Sequence, residues 1–319
     1  MVGAIMCEFD LIVLGGTGFV GKNVINEIKL RNDLNCNIRM LVRNKKGIDE
    51  PAITEIVGEI PNITHDLFTG APNIVLHLGT KNIDHDKTGF FSVNVQGTKK
   101  LMNMLPKNTL GIIYGSSFSV YGQNDRRRVS ESEEINPQTP LAISRSQAEM
   151  EILESEKKIT KFILRPRFIV GKNDKSTMLK LIKMYNKRIC LGSGNQESTY
   201  INVVDYANII IDLISYIQEN YHKQEVEILN VGYENPITMK ELHSIFADVY
   251  GKKRQLYLPI SETMINRIKK IKSKKVLDLI TKVELMALSH SADTSRIKKF
   301  VNKEYIEQST HSAIRSLLE

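Results

Sequence analysis

The chain has 319 residues, of which 41% are hydrophobic and 25% are charged, and its formal net charge is +8. These fractions are ordinary for a globular protein, and the length is sufficient for two domains. No run of about 18 apolar residues occurs and no signal-peptide pattern begins the chain, so the sequence predicts no transmembrane helix. The odd number and wide spacing of Cys7, Cys36 and Cys190 predict no disulfide framework and no metal site, and indicate a cytoplasmic protein.

The first half of the chain alternates between short apolar segments and longer amphipathic ones. The short segments are continuous apolar runs, which indicates strands that are buried on both faces. Alternation of strands and helices predicts a doubly wound parallel sheet, an α/β fold of the Rossmann type. The predicted strands are 9–16, 37–43, 73–79, 111–117 and 161–166, and the predicted helices are 20–31, 90–105 and 140–156.

The pattern is less regular after Pro166. We expect residues 1–166 to form a dinucleotide-binding domain, to which 195–235 returns. Residues 167–319 are then expected to form a smaller, mostly helical C-terminal lobe that binds substrate. Within this second half, helices are predicted at 176–187, 204–219 and 238–250, and a strand is predicted at 227–232.

Two basic clusters, "DRRR" at 125–128 and "NRIKKIKSKK" at 266–275, raise the question of an anionic partner. The first is interpreted as a solvated loop, with an anion clamp as the alternative. In the second, Ile265, Ile268 and Ile271 have helical spacing, which predicts an amphipathic helix with a solvated basic face. Neither cluster is interleaved with the aromatic residues on which nucleic-acid bases stack. We therefore expect no nucleic acid and no membrane as a partner.

A glycine-rich segment, "GGTGFVG" at 15–21, joins the first predicted strand to the first predicted helix. In such a loop one glycine makes the tight turn, one lets the backbone approach a pyrophosphate, and one lets the helix pack on the strand. The helix N terminus then presents free N–H groups to the phosphates. The segment predicts a dinucleotide site formed by Gly15, Thr17, Gly18, Phe19, Val20 and Gly21.

The end of the second predicted strand indicates which dinucleotide binds. A carboxylate there accepts a hydrogen bond from the ribose 2′-hydroxyl of NAD, whereas a cation accommodates the 2′-phosphate of NADP. The sequence places Arg43 at this point, followed by Lys45 and Lys46. NADP is therefore favoured, with NAD as the alternative, unless the three cations are only solvated surface residues.

Several segments together resemble the extended short-chain dehydrogenase/reductase family, the NAD-dependent epimerases and dehydratases. The resemblance implies that Glu59, Ile60, Leu78, Gly79, Thr80 and Asn94 contact the cofactor. It also places Ser117 at the catalytic serine or threonine of the family. The segments that carry it are "GGTGFVG", "VGEI" (57–60), "VLHLGT" (75–80), "VNVQGTKKLM" (93–102), "GSSFSVYG" (115–122), "LRPRFIVG" (164–171), "YINVVDYANIII" (200–211), "NVGYENPITMKEL" (230–242) and "DTSRIKKF" (293–300).

The catalytic helix departs from the family pattern, which reads Pro-x-x-Pro-Tyr-x-x-Ser-Lys-x-x-x-Glu. This chain retains Pro137, Pro140, Ser144 and Glu149, but it has Leu141 at the tyrosine position and Arg145 at the lysine position. No Tyr-x-x-x-Lys occurs between 122 and 160 that a shifted alignment would use.

The replaced pair alters the proton chemistry that the resemblance implies. In the family the tyrosine phenol supplies or removes the proton that accompanies hydride transfer, and the lysine lowers the phenol pKa from its ordinary value of about 10. Leu141 carries no titratable proton, and Arg145 does not act as a base although it can still hydrogen-bond to the cofactor ribose. Loss of a positioned general acid costs about 10²–10⁴ in rate. Phe118 and Ser119 stand where the dehydratases have Asp and Glu, so dehydration is not expected.

Three residues are assigned to substrate binding. Ser117 can orient a carbonyl group, and Lys81 can hold a phosphate or a carboxylate, with a solvent-facing lysine as the alternative. Arg167 lies in the "LRPRFIVG" segment. His77 lies in an apolar strand, so a core histidine is favoured over a catalytic one.

Two main functions remain open at this stage, and a third, a nucleic-acid or membrane adaptor that uses the basic surface, is the least favoured. The favoured one is an NAD(P)-binding protein whose Tyr–Lys redox catalysis is lost and which acts as a regulator, as a partner subunit or in non-redox chemistry. The alternative is an active oxidoreductase or epimerase that uses Ser117 with another proton donor. In both cases the ligand is a small molecule, a nucleotide sugar or a polar ketone. By analogy, helices 90–105 and 140–156 are expected to form a homodimer.

Overall fold

The computed structural model describes residues 9–319 except 32, 49, 86–88, 173, 175–176 and 272–273. Cys7 therefore lies outside the described residues. The chain divides into two compact units. Unit 1 comprises the described residues up to Ser117, Thr139–Leu164 and Ala207–Leu229, and unit 2 comprises Phe118–Gln138, Arg165–Tyr206 and Asn230–Glu319.

Strands and helices follow one another along the described chain. In order they are β1 (Phe9–Leu14), α1 (Phe19–Arg31), β2 (Cys36–Val42), β3 (Ile53–Val57), β4 (Asn73–His77), α2 (Gly97–Met104), β5 (Thr109–Gly115), β6 (Arg126–Val129), α3 (Pro140–Leu153), β7 (Thr160–Pro166), β8 (Phe168–Val170), α4 (Met178–Asn186), β9 (Ile189–Leu191), β10 (Glu197–Ser198), β11 (Tyr200–Asn202), α5 (Val203–Asn220), β12 (Val226–Val231), β13 (Ile237–Thr238), α6 (Met239–Tyr250), β14 (Leu256–Leu258), α7 (Glu262–Lys269), α8 (Lys274–Ala287), β15 (His290–Ala292), α9 (Glu304–Glu307) and α10 (Thr310–Ser316).

A seven-stranded sheet in the order β12-β7-β5-β4-β1-β2-β3 carries the fold. The pairings β1–β2, β1–β4, β2–β3, β4–β5 and β5–β7 are all parallel. Every residue of β1, β4 and β7 is buried, as continuous apolar runs predict. The predicted Rossmann-type α/β fold is confirmed. The strand order reverses between β1 and β4, and ligands of such sheets bind at the carboxyl ends of the strands beside this switch point.

The core of unit 1 lies between the sheet and helices α2 and α3. Ile12, Val75 and Ile112 of the sheet pack in one buried cluster with Leu101 of α2 and Ile152 of α3. The cluster holds the carboxyl ends of β4 and β5 in place, and the segments that follow these strands carry most of the predicted site.

Unit 2 has its own core and a small sheet of order β13-β10-β15-β6. Two parallel two-stranded ribbons, β8–β11 and β9–β14, add to it. Tyr185, Leu242, Phe246 and Ile314 are buried together in its apolar cluster. The sequence did not predict these strands, because two to four residues are too few for a period to be detected.

Unit 2 includes a segment that the sequence assigned to the N-terminal domain. Residues 118–138 belong to it because β6 pairs in parallel with β15, where His290 is opposite Arg126. The "DRRR" segment is therefore mostly strand rather than loop, although Arg127 and Arg128 are exposed as expected. The returning segment also differs, since it spans Ala207–Leu229 rather than 195–235.

Two predicted helices differ from those observed. The helix predicted at 90–105 begins as a π-helical turn, Ser92–Gln96, and becomes α-helical only in α2. The prediction of one helix over 266–275 is wrong, because α7 ends at Lys269 and α8 begins at Lys274. Of its three isoleucines only Ile265 is buried, whereas Ile268 and Ile271 are 43% and 53% exposed.

Candidate functional site

The glycine loop between β1 and α1 has the shape that a dinucleotide pyrophosphate requires. Gly15 has a φ of +88°, and a Cβ there would lie 2.7 Å from the backbone nitrogen of Gly79. A Cβ on Gly21 would lie 2.6 Å from the Cα of Gly16, so α1 approaches the loop too closely for any side chain. The Gly18 N–H donates to the carbonyl oxygen of Gly15 at 3.0 Å, which closes the turn. These positions fit the backbone path that a bound pyrophosphate needs.

A cavity of about 350 Å³ opens beside this loop at the carboxyl end of β2. It brings together residues from three separate segments that the sequence predicted: Thr17 of the glycine loop, Arg43 after β2 and Glu59 after β3. Lys46 adds a second cation, and the Glu55 carboxylate holds its loop by accepting the N–H groups of Lys46 and Gly47 at 2.9 Å. Val42 and Asn44 complete the lining.

The segment Leu78, Gly79 and Thr80 follows β4, and its Leu78 and Gly79 lie against Gly15 of the glycine loop, while Ile60 lies against Gly79. The Leu78 N–H donates to the Leu14 carbonyl oxygen at 2.9 Å, which continues the β1–β4 pairing beyond β4. A Cβ on Gly79 would lie 3.1 Å from the carbonyl carbon of Leu14 and would also meet the Ile60 side chain. Gly79 therefore allows the loop after β4 to pack against the end of β1.

The loop after β4 is fixed by Asn94, a buried residue of the π-helical turn. Asn94 Oδ1 accepts the N–H of Lys81 at 2.7 Å, and Asn94 Nδ2 donates to the Lys81 carbonyl oxygen at 3.1 Å. The same Nδ2 donates to Ser144 Oγ of α3 at 3.0 Å. Asn94 therefore ties this loop to α3, and the structure gives it a positioning role.

Helix α3 carries Leu141 and Arg145, the two positions at which the sequence predicts an altered catalytic pair. Thr139 caps its N terminus by accepting the Ala142 N–H at 3.1 Å, and Pro140 follows as its first residue. Leu141 is partly exposed. Arg145 Nη1 donates to the carbonyl oxygen of Ser116 at 3.4 Å.

The Arg145 guanidinium reaches from the end of β5 to the end of β4. Its Nη2 donates to Asn82 Oδ1 at 2.6 Å, and Asn82 lies in the loop after β4. Below it, the buried carboxylate of Glu149 accepts a hydrogen bond from Ser116 Oγ. These contacts fix a cation at the carboxyl edge of the sheet, directly beside Ser117. The site retains a positive charge at position 145 but has no phenol at position 141.

Two titratable side chains below α3 do not supply the missing proton donor. Burial lowers the pKa of His77 to about 4, so this histidine is neutral near pH 7. Its Nε2 lies 2.9 Å from Thr98 Oγ1, and Thr98 donates its own proton to the Asn94 carbonyl oxygen at 2.6 Å. Because a hydroxyl has one proton, we infer that His77 carries its proton on Nε2. His77 is thus a core residue that supports Asn94.

Tyr114 of β5 is the phenol that packs below α3. Its side chain is fully buried in the cluster that contains Ala148 and Ile152. Burial raises its pKa above the ordinary value, and the charge of Arg145 opposes that shift without cancelling it. Tyr114 therefore remains a neutral phenol that solvent does not reach, and it does not replace the side chain missing at position 141.

Lys81 lies at the end of β4, in the loop that Asn94 holds. Its Nζ pairs with Asp84 at 2.7 Å, and the Lys81 side chain is only 13% exposed. Asp84 also accepts the N–H of Gly89 at 3.0 Å. Lys81 is thus a partly buried, oriented ammonium group rather than a solvent-facing lysine.

Arg167 lies in unit 2 and is packed among aromatic side chains. Its guanidinium carbon lies 4.3 Å from the ring centre of Phe168 and 5.9 Å from that of Phe118. Arg167 Nε and Nη2 are buried and have no hydrogen-bond partner among the described residues. Burial lowers the pKa of Arg167 to about 10, and burial together with the charge of Arg167 lowers the pKa of His290 to about 3.

Sequence reasoning missed the residues that hold the predicted ones in place. Asn82 anchors Arg145, Asp84 pairs with Lys81, and Glu55 supports the loop of Lys46. Asn82 and Asp84 follow Lys81 within three residues, which is the only signal that the sequence offers for them. A polar residue near a motif cannot be told from a solvated one until its partner is known.

Within the described part of the chain, no three His, Cys, Asp or Glu side chains are grouped as metal ligands. The helices of that same part include none with the length and apolar character that a bilayer crossing requires.

Comparison with known proteins agrees with this geometry. The profile of the NAD dependent epimerase/dehydratase family matches residues 11–232, which is more than half of the chain. The chain belongs to this family. The resemblance seen in the sequence is thereby confirmed.

Relatives within the family act on sugar nucleotides, according to their names. UDP-glucose 4-epimerase of Vibrio cholerae is 24% identical over 248 residues, which cover 72% of this chain and 74% of that protein. GDP-6-deoxy-D-talose 4-dehydrogenase of Aggregatibacter actinomycetemcomitans is 25% identical over 222 residues, or 66% and 71% of the two chains.

Solved structures share the fold over nearly the whole chain. UDP-glucuronic acid 4-epimerase of Bacillus cereus, in complex with NAD, has a TM-score of 0.72 at 16% identity and covers 98% of this chain and 96% of its own. UDP-N-acetylglucosamine 4-epimerase of Methanobrevibacter ruminantium M1 has a TM-score of 0.72 at 19% identity, with 98% of both chains covered. At these identities the likeness shows the fold alone.

Proposed function

We propose that this chain binds a nicotinamide dinucleotide and a small anionic ligand without the Tyr–Lys proton relay of its family. Without that relay, the chain acts as a regulator or a partner subunit, or it catalyses a reaction that needs no hydride transfer. The observation that carries the proposal is the pairing of Leu141 with Arg145. A hydrocarbon occupies the position of the proton donor, and the retained cation is held by Ser116 and Asn82.

The proposed cofactor is NADP, with NAD as the alternative. The glycine loop fits a pyrophosphate, and the cavity beside it holds Arg43 and Lys46 against the single carboxylate of Glu59. Two cations complement the charge of a 2′-phosphate, while Glu59 can accept a hydrogen bond from the adenine amino group. A bound nicotinamide dinucleotide would supply a hydride donor or acceptor.

The choice of dinucleotide is tested at Arg43. We expect Arg43→Gln to weaken NADPH binding about 10- to 100-fold, because a charge-assisted hydrogen bond is lost, and to leave NADH binding unchanged. Dissociation constants from the fluorescence of the reduced nicotinamide measure both. Lys107→Gln, at an exposed lysine of unit 1, is the matched control. Tighter binding of NADH than of NADPH by the unaltered chain would refute the preference for NADP.

The residues around position 145 can position a ligand but do not complete a proton transfer. The Arg145 guanidinium offers hydrogen bonds to ribose hydroxyls, as a lysine at this position would. Ser117 can orient a carbonyl oxygen, yet a serine hydroxyl by itself is a weak acid. Of the described residues that pack below α3, neither His77 nor Tyr114 replaces the phenol, since His77 is neutral and buried and Tyr114 is buried with a raised pKa.

The proposed ligand class is a nucleotide sugar or a related anionic small molecule. Relatives are named for UDP- and GDP-sugars, and one structural neighbour was solved in complex with UDP-glucose and NAD. In this chain a buried guanidinium with two unpartnered donors among the described residues, Arg167, favours an anion in unit 2. An uncompensated buried charge is costly, and a phosphate or carboxylate would offset that cost.

Turnover assays test the proposed loss of redox chemistry. We expect the chain with NADPH or NAD to convert UDP-glucose, UDP-N-acetylglucosamine and UDP-glucuronic acid at background rates. The double variant Leu141→Tyr/Arg145→Lys should gain at least about 10²-fold, because it restores a phenol beside a lysine. The matched control is Leu141→Phe/Arg145→Lys, which adds the ring without its hydroxyl and should gain nothing.

The opposite result would establish the alternative function. The unaltered chain would then show steady turnover, and Ser117→Ala would abolish it. This result would mean that the chain is an active oxidoreductase or epimerase with another proton donor. The proposal would then be wrong, although the cofactor site would stand.

We also propose a homodimer formed through α2 and α3. Ile143 and Met150 lie seven residues apart on α3 and are 40% and 47% exposed, and Phe91 just before the π-helical turn is 52% exposed. Residues seven apart share a helix face, so these side chains offer an apolar stripe for a second copy.

A further inference from the structure

The positive charge of this protein is concentrated in one segment of unit 2. Residues 251–275 contain nine lysines and arginines and one acidic residue, Glu262, which is a net charge of +8 and equals that of the whole chain. The rest of the chain is therefore balanced. Four of these cations, Lys252, Arg254, Arg267 and Lys270, are exposed and form no ion pair within the described residues.

The same segment exposes an apolar stripe on α7. Met264 and Ile268 are 49% and 43% exposed, and Ile271, in the turn that follows the helix, is 53% exposed. Their spacing of four and three residues places them on one helix face, whereas Ile265 points into the core. The Ile271 N–H donates to the Ile268 carbonyl oxygen at 2.9 Å, so the turn continues the stripe.

The β9–β14 ribbon, whose strand β14 precedes α7 in the chain, adds three more exposed aliphatic side chains. Leu256 of β14 lies opposite Ile189 of β9, and they are 59% and 45% exposed. Leu258, on the same face of the ribbon, is 39% exposed. Only residues 259–261 separate β14 from α7. Single exposed aliphatic residues are ordinary, but six on elements joined by so short a connection, among cations that form no ion pair within the described residues, indicate a binding surface.

We propose that this surface, Ile189, Leu256–Leu258 and Met264–Ile271, binds the face of an anionic phospholipid bilayer. An amphipathic helix with aliphatic side chains on one face and lysines and arginines beside them is typical of segments that lie in the membrane interface. This inference replaces the expectation from the sequence that the chain has no membrane partner. Contact is peripheral, through a helix too short to cross a bilayer.

Two other occupants fit the surface less well. A second copy of the chain would bring one segment of charge +8 against another, and like charges at short range repel. A nucleic acid would be favoured by exposed aromatic side chains, whereas the exposed apolar residues here are isoleucine, leucine and methionine. Aliphatic side chains beside cations match acyl chains beside anionic headgroups.

Vesicle co-sedimentation tests the proposal with the full chain. We expect binding to phosphatidylcholine vesicles that contain 30% phosphatidylserine at about 0.1 M salt, no binding to pure phosphatidylcholine, and weaker binding at about 0.5 M salt. Arg267→Gln/Lys270→Gln should lower the partition coefficient about 30-fold, because each cation contributes about fivefold. Met264→Gln/Ile268→Gln/Ile271→Gln, which keeps the charge, should lower it at least tenfold.

Matched substitutions outside the surface serve as controls. Lys299→Gln/Lys303→Gln removes two exposed lysines of unit 2, and Leu30→Gln removes a leucine of α1 that is 69% exposed. Both should bind vesicles as the unaltered chain does. All substituted residues are exposed, so far-UV circular dichroism and thermal unfolding should be unchanged.

Three outcomes would overturn the proposal. The first is absence of binding to anionic vesicles, and the second is unchanged vesicle binding by either surface variant. The third is that the chain binds polyuridylate more tightly than vesicles and that only the cation variant loses this polyuridylate binding. The last would assign the surface to nucleic acid.

Discussion

Arg145, which the sequence predicts to stand where the family has a lysine, donates hydrogen bonds to Ser116 and Asn82. A lysine ammonium at this position lowers the pKa of a neighbouring tyrosine, but here the neighbouring position holds Leu141. The two substitutions are therefore consistent with each other. Because no phenol lies beside it, the cation at position 145 can only bind or position a ligand. This is the residue-scale reason for proposing binding without the usual proton relay.

Buried histidines give the protein a predictable response to acid. Burial lowers the pKa values of His77 and His243 to about 4 and, together with the charge of Arg167, that of His290 to about 3. Between pH 6.5 and these values the unfolded chain binds protons that the folded chain does not. The contribution of these buried neutral histidines to the free energy of unfolding is therefore fully present above pH 6.5 and is lost as the pH falls toward 4.

The contribution of His77 can be measured separately. At pH 5.0 its burial should cost about 2 kcal/mol of the free energy of unfolding relative to pH 7.5. In urea unfolding, the free energy of unfolding of His77→Gln should therefore change by about 2 kcal/mol less between the two pH values than that of the unaltered chain. His222→Gln, at an exposed histidine, should behave as the unaltered chain. Identical pH dependence in all three proteins would contradict the assignment of His77 as a buried neutral residue.

At the scale of elements, the end of β4 is positioned by the π-helical turn and α3 rather than by its own sequence. Asn94 makes three hydrogen bonds, to the N–H and the carbonyl oxygen of Lys81 and to Ser144. The turn widens the helix at the point where this side chain must reach two elements at once. Such local π-helical turns are frequent at functional sites.

Removal of this amide is expected to loosen the loop after β4. Asn94→Ala removes the partners of the Lys81 backbone N–H and carbonyl oxygen and one of the two hydrogen bonds of Ser144 Oγ, which should cost about 2–4 kcal/mol of unfolding free energy in urea. It should also weaken dinucleotide binding, because Gly79 and Thr80 lie in the same loop. Asn26→Ala, at an exposed position of α1, is the control for the loss of an asparagine. If the free energy of unfolding of Asn94→Ala equalled that of the unaltered chain, water would replace the amide without cost and the positioning role of Asn94 would be wrong.

At the scale of the whole molecule, charge and apolar exposure are distributed unevenly. The excess positive charge lies in residues 251–275, whereas the apolar stripe on α3 has few cations beside it. The two surfaces therefore suit different partners, an anionic bilayer for the first and a second copy of the chain for the second.

The proposed dimer has a direct test. Ile143→Glu/Met150→Glu places two carboxylates on the stripe and should convert a dimer into a monomer of 36.3 kDa, as measured by light scattering after size-exclusion chromatography. Val57→Glu, at an exposed valine of unit 1, should leave the mass unchanged. A monomeric unaltered chain at micromolar concentration would contradict the dimer.

The sequence by itself determined the Rossmann sheet, and it predicted the glycine loop and the change at positions 141 and 145. Buried strands read as continuous apolar runs, and a glycine at position 15 or 21 reports a close backbone approach, so both are local properties of the chain. Strands of two to four residues, such as β6 and β15, carry too little local signal, and pairing between distant segments decided them.

Only the tertiary structure decided which polar residues act together. Asn82 and Glu55 look like solvated side chains in the sequence, and their partners Arg145 and Lys46 lie far away or across a turn. The exposure of Ile268 and Ile271 was likewise decided by packing, because helical spacing predicts a shared face but not what covers it. Hydrogen bonds and burial depend on the neighbours in space, which a period along the chain does not contain.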